Sequence, residues 1–149
     1  MAAAARTFPI TRTDRVFNAV VAGLSRFGIS LLGSRVLAVR GRTTGEIRTV
    51  PVNLLTVDGQ PYLVAPRGQV QWVRNLRVAG EGELRIGRRA EVFDAEELSD
   101  EEKVPVLREY LRKWAWEVGR FFDGLDAASD DAALRAAAPD FPAFRVRCR

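Results

Sequence analysis

Three tight turns between positions 40 and 90 do most to limit what this chain can become. "GRTTGEIR" (41–48), "VDGQP" (57–61) and "RIGRRAEV" (85–92) each lie between runs rich in β-branched residues with a period of two. Asp58-Gly59 is a strong hairpin signal, because both positions accept left-handed backbone angles at little cost. Gly45 suits such a position in the first turn, and Gly87-Arg88 makes the third. A chain that reverses this often builds antiparallel sheet. The runs "RVLAVRGR", "IRTVPVNLLTV", "PYLVAP", "GELRIG", "RAEVFDAEEL" and the terminal "AFRVRC" are the expected strands.

The helical pattern lies around them. "QVQWVRNLRVAG" places Trp72, Val73 and Leu76 on one face of a short crossing helix that Gly80 ends. Residues 99–123 carry Val104, Leu107, Leu111, Trp114, Val118 and Phe121 as a stripe for packing on a sheet. Ser99 and Glu102 have capping-box spacing, although Pro105 moves the expected start of continuous helix towards itself. Tyr110 is one position off the stripe, which predicts that it reaches a cleft. Residues 129–139 read as a short helix stopped by Pro139. Val16, Val20, Leu24, Phe27 and Leu31 predict an amphipathic helix over 14–32, packed on the domain or touching a membrane surface. The whole predicts one α+β domain over 1–149. It is a small β-barrel of about six mostly antiparallel strands with flanking helices, and 1–33 form an N-terminal helical arm.

Composition narrows the chemistry. The chain has no histidine and one cysteine, Cys148. That excludes histidine triads, histidine metal ligands and an internal disulfide, and no metal-ligand spacing is present. Chemistry without these groups points to a borrowed cofactor. Arginines interrupt every apolar stretch near the N-terminus, and no run reaches the ~20 residues of a spanning helix. The expected location is cytoplasmic, with peripheral membrane contact through the N-terminal helix as the variant; a homodimer is also expected. Charge is uneven. Residues 1–50 hold eight arginines against two acids, whereas residues 95–149 are net acidic. The basic part faces an anion. Nucleic acid would need aromatics among the basic strands, and residues 35–50 have none.

The arginines concentrate at the first turn. Arg40 and Arg42 are two apart, and Arg48 joins them or not according to strand register. With Thr43, Thr44 and the turn amides they fit a phosphate or carboxylate. A second loop, Pro66-Arg67-Gly68, brings bare backbone to the surface just before Trp72 and Asn75, a place for a flat ligand.

"GRTTGEIRTVPVNLL" followed by "WVRNLRVAGEGELRIG" resembles the deazaflavin-dependent nitroreductase and quinone-reductase family of actinobacteria. The likeness covers roughly residues 37–93. It implies a split β-barrel of the flavin-reductase type that binds coenzyme F420, with FMN as the alternative. It also implies hydride transfer to a small-molecule acceptor: a quinone, a nitro compound or an enone. On that likeness Arg42, Thr43, Thr44, Gly45 and Arg48 hold the coenzyme phosphate. Pro66, Arg67 and Gly68 flank the ring, Trp72 and Asn75 support that wall, and Tyr110, Thr43 or water supplies a proton. The chain departs from the pattern at Thr43, where many members carry Lys, and in the short loop at Arg67. The rival reading is a deazaflavin-, flavin- or lipid-binding protein of the same fold without catalysis.

Overall fold

The computed structural model describes residues 34–86, 88–118 and 124–149. The predicted helix over 14–32, the turn residue Gly87, and Phe121 with Phe122 lie outside them. Six strands form a closed barrel: β1 (Ser34–Arg40), β2 (Ile47–Val57), β3 (Gln60–Val64), β4 (Glu81–Ile86), β5 (Arg89–Glu97) and β6 (Ala143–Cys148). Around the barrel the order is β1-β2-β3-β6-β5-β4, and every pairing is antiparallel. The expected α+β barrel with flanking helices is therefore what the chain forms. The last strand in sequence closes the ring between β3 and β5. The β2–β3 turn has the two-residue form the sequence signals, with Asp58 at φ 50° and Gly59 at φ 79°.

The alternation of side chains sorts the core into two clusters. Leu37, Val39, Leu63, Leu84, Phe93 and Phe144 point into the barrel. The helix α1 (Gln71–Ala79) lays Val73 and Leu76 onto this cluster and ends at Gly80, whose N–H bonds the Leu76 carbonyl. On the outer face, Leu55, Val64 and Ala143 meet Leu107, Leu111 and Trp114 of α2 (Asp100–Val118). Leu134 of α3 (Asp131–Ala137) completes that layer.

α2 starts at Asp100, upstream of Pro105, and the reason is its cap. Ser99 N–H donates to Glu102 Oε1 at 3.0 Å, and Glu102 N–H donates to Ser99 Oγ at 3.3 Å. This reciprocal pair holds the first turn although Pro105 removes an amide donor inside the helix. Tyr110 also differs from expectation. It is 2% exposed, packed on Trp114 with ring centroids 5.0 Å apart, so it belongs to the core layer and does not face a cleft. A helical period of 3.6 gives adjacent positions 110 and 111 a share of one broad buried face.

The Ser99 backbone N–H, the Ser99 hydroxyl and Arg145 hold the Glu102 carboxyl below its ordinary range. A depressed folded pKa stabilises above the unfolded value and is lost as pH falls through the folded one. Glu102→Gln is thus expected to lower the melting temperature near neutral pH, with the gap to wild type closing in acid. A gap that persists unchanged into acid would show that the ionised carboxylate contributes nothing there.

Candidate functional site

The first hairpin leaves the barrel at Arg40 and returns at Ile47, so residues 41–46 form its tip. Gly41 N–H donates to the Glu46 carbonyl at 2.7 Å and Gly45 N–H to the Gly41 carbonyl at 3.0 Å; Gly45 has φ 75°. Glu46 N–H donates to Thr44 Oγ1 at 3.2 Å. Four of the tip amides (those of Gly41, Arg42, Gly45 and Glu46) are thereby committed within the protein, Arg42 as set out below. An anion at this tip is left mainly to guanidinium and hydroxyl groups, a narrower donor set than the sequence suggests.

Register settles which arginines share a face. Arg48 lies opposite Val39, and Arg40 opposite Ile47. Directly opposed residues project to the same side. Val39 belongs to the interior cluster, so Arg48 leaves the barrel mouth from the inner face while Arg40 belongs to the outer one. Arg40 Nη1 folds back onto the Gly45 carbonyl at 2.8 Å and braces the turn. Arg48 is 60% exposed and has Glu46 at 3.6 Å, a loose contact that a bound anion could replace. Thr43 and Thr44 are exposed at the tip.

Arg42 is the residue the tertiary structure explains most fully. Asn75 of α1 is 5% exposed, and its Oδ1 accepts from the Arg42 backbone N–H at 3.1 Å and from Arg42 Nη1 at 2.8 Å. Gln71, one helical turn earlier, accepts from the same Nη1 at 2.9 Å. Arg42 Nε and Nη2 have no partner among the described residues. The guanidinium is thus held by one corner and offers its remaining donors outward, beside the first turn of α1. That turn has no side-chain cap at Val70 and no acidic residue. Its positive end and the Arg42 fork reinforce each other for an anion. Asn75, expected to support a ring wall, is the latch between helix and hairpin. Gln71 was not anticipated; its place four residues before Asn75, on the same helix face, was the available signal.

The second loop leads into α1. Gly68 takes φ 82°, and a Cβ built there would meet the Asp140 carbonyl oxygen at 3.4 Å. Arg74 Nε donates to the Gln69 carbonyl, and Arg77 Nη1 to the Gln69 side chain, which ties the loop to the helix it starts. Trp72 is half-buried and tilts against Phe144 at 6.1 Å, so much of its ring serves packing. Pro66, Arg67 and Gly68 line a cleft of about 880 Å³ whose far wall comes from Leu125 and residues 133–141. The structure therefore brings Arg42, Asn75 and the start of α1 together, and sets Pro66–Gly68 between them and the cleft. Tyr110 stands apart, in the core layer beneath α3. Among the described residues no cluster of Cys, Asp and Glu could hold a metal ion, and no helix is long and apolar enough to cross a membrane.

Known structures share this architecture. An F420-H2 dependent reductase, FDR-A, superposes with a TM-score of 0.54 at 17% identity, covering 77% of this chain and 94% of its own. A protein of unknown function from Agrobacterium tumefaciens gives 0.57 at 17% identity over 78% of this chain, which spans only 48% of that one. A conserved hypothetical protein from Mycobacterium tuberculosis gives 0.50 at 17% identity, over 86% of this chain and 79% of that one. At such identities the likeness speaks for the fold. A search of curated proteins finds no significant match. Sequence supplies what the fold does not: a family model for F420H(2)-dependent quinone reductase matches residues 11–118, a span that holds the hairpin tip, its Asn75 latch and the Pro66–Gly68 loop, and the chain belongs to that family.

Proposed function

We propose that this chain is a reductase that passes a hydride from reduced coenzyme F420 to a quinone, nitro or enone acceptor. The observation that carries the reading is the Arg42 fork, latched by Asn75 and Gln71 beside the uncapped start of α1. A phosphate there meets the outward Arg42 donors, Arg48 from the inner face of β2, and the Thr43 and Thr44 hydroxyls, with Gly45 holding the turn open. These groups suit a coenzyme that carries a phosphate, and the half-buried turn at Gly68, which has no side chain, suits the edge of a flat ring beside Pro66 and Arg67. Trp72 and Asn75 stiffen the helix behind that ring. When bound, the reduced coenzyme supplies the hydride, and the acceptor takes its remaining proton from solvent. Tyr110 is buried, so the proposal gives it a packing role; Thr43, exposed at the tip, is kept as the side-chain alternative to solvent for the proton.

Arg48→Ala is expected to weaken coenzyme binding by at least about 1.5 kcal/mol, the low end for a charge-assisted hydrogen bond, or roughly tenfold in Kd. Fluorescence titration with oxidised F420 reads this, and titration with FMN in parallel tests the alternative coenzyme. An unchanged Kd in a folded variant would remove Arg48 from the phosphate seat. Turnover of a quinone or nitro dye with reduced coenzyme separates a reductase from a binding protein of the same fold.

A further inference from the structure

We propose that the cleft between the Pro66–Gln69 loop and the C-terminal segment is the acceptor site, and that it selects neutral, planar molecules with apolar bodies. This rests on the reading above, in which the coenzyme ring lies along residues 66–68. The cleft is a groove of about 880 Å³, open to solvent on one side and large enough for a small planar molecule. Its far wall is apolar and mostly small: Ala133, Ala136 and Ala137 along one edge of α3, then Pro139 and Phe141. Small side chains there leave room for a flat body against the helix edge. Arg67 and Asp140 are the charged residues of the lining, one of each sign, so the cleft offers no net charge to hold an ion. Arg67 and Gln69 stand on the loop side, where the polar edge of a quinone or nitro group would face them.

The wall is fixed in place. Lys103, 5% exposed, donates from Nζ to the Ala138 carbonyl at 3.0 Å. Arg108 holds the start of α3 by donating to the carbonyls of Ala127 and Ser129 and to Asp131 Oδ1. Ala65 N–H donates to the Pro142 carbonyl at 2.8 Å, which pins the far end of the wall to the loop side. A rigid wall discriminates by shape where a loose one would adapt. This wall also lies beyond residues 11–118, the part that the family model matches. On this proposal coenzyme contacts come from the part of the chain that the family model matches, and acceptor preference from the segment that follows it.

Ala136 is exposed on the cleft edge and Ala133 half-exposed, so larger side chains there enter the cleft without entering the core. Ala136→Phe is expected to raise the KM for 2-methyl-1,4-naphthoquinone by about tenfold or more, as an obstructed apolar pocket does. The Kd for oxidised F420 is expected to stay within about twofold, since its phosphate seat is at the hairpin tip and its ring lies on the loop side, away from Ala136. Ala133→Leu, the milder variant, should move both quantities in the same directions if Ala136→Phe fails to fold. An unchanged quinone KM in both variants overturns the proposal. So does a lost F420 affinity with the quinone KM preserved, because the cleft would then hold coenzyme. A second measurement needs no coenzyme: amide shifts at Gly68 and Asp140 on adding the naphthoquinone to the wild-type protein. Shifts there support the cleft even if turnover with reduced F420 is absent, which would sink the reductase reading alone; no shifts at either residue overturn the cleft.

Discussion

Replacing Arg85 by alanine should cost this protein about 3–5 kcal/mol of stability, the loss expected when one partner of a buried ion pair is removed. Glu83 and Arg85 are two apart on β4, so they share a face, and Arg85 Nε donates to Glu83 Oε1 at 2.6 Å. They are 7% and 5% exposed. Their register partners on β1 are Ala38 and Val36, at 0% and 2% exposure, and on β5 they are Val92 and Ala90. The pair therefore stands among small apolar side chains on the outside of the barrel wall, opposite to the face that Leu84 presents to the interior. Removal of either partner strands a charge where water reaches it poorly. Removal of both does not: Glu83→Leu with Arg85→Met is expected to lie near wild type, because the desolvation cost of both ions disappears with their attraction. Urea denaturation with all three variants reads the difference. A loss below about 1 kcal/mol for Arg85→Ala would mean that solvent screens the pair as it does at a surface.

The second large effect lies in the latch. Asn75→Leu keeps approximate volume but leaves the Arg42 backbone N–H without its acceptor and the guanidinium held by Gln71 alone. A fully buried stranded donor costs about 1–3 kcal/mol, and this part-buried one should cost about 1 kcal/mol. Coenzyme affinity should fall by about tenfold in addition, because the Arg42 fork is no longer aimed. The discriminating measurement is a double-mutant cycle with Arg42→Ala, read in the Kd for F420. If Asn75 acts by aiming Arg42, then Arg42→Ala costs much less affinity in the Asn75→Leu background than in wild type, with a coupling energy of order 0.5–3 kcal/mol. Additive losses would mean that Asn75 touches the coenzyme independently. Asn75→Asp adds a useful contrast: it keeps both acceptor contacts while placing a carboxylate near a phosphate, so it should preserve stability and still weaken binding.

The barrel was legible because its signals are local. Asp58-Gly59 sets a two-residue turn, and the β-branched runs on either side can bury only alternate residues. The capping box at Ser99 and Glu102 and the terminator at Gly80 were equally plain. Pro105 misled about the start of α2, since the cap outweighed the missing amide. Tyr110 misled because a strict 3-4 stripe is narrower than the face a helix buries against a sheet and a second helix at once. At the site, the charge cluster was visible but its division of labour was not. Arg40 and Arg48 differ only by the face that register assigns them. Gln71 carried no special mark, and the pairing of Asn75 with Arg42 spans 33 residues.

What the sequence determined by itself was the set of elements and the side-chain chemistry they lack: strands from alternation, turns from glycine and aspartate, and no histidine for acid–base work. What only the tertiary structure decided was which groups meet. Closure of the barrel by β6 brings residues 133–141 to the loop at Gly68, and the packing of Val73 and Leu76 on the barrel interior delivers Asn75 to Arg42. Backbone preferences act over a few residues and can be read along the chain. Contacts between distant residues depend on how apolar faces from several elements fill one common volume, and no single segment contains that information.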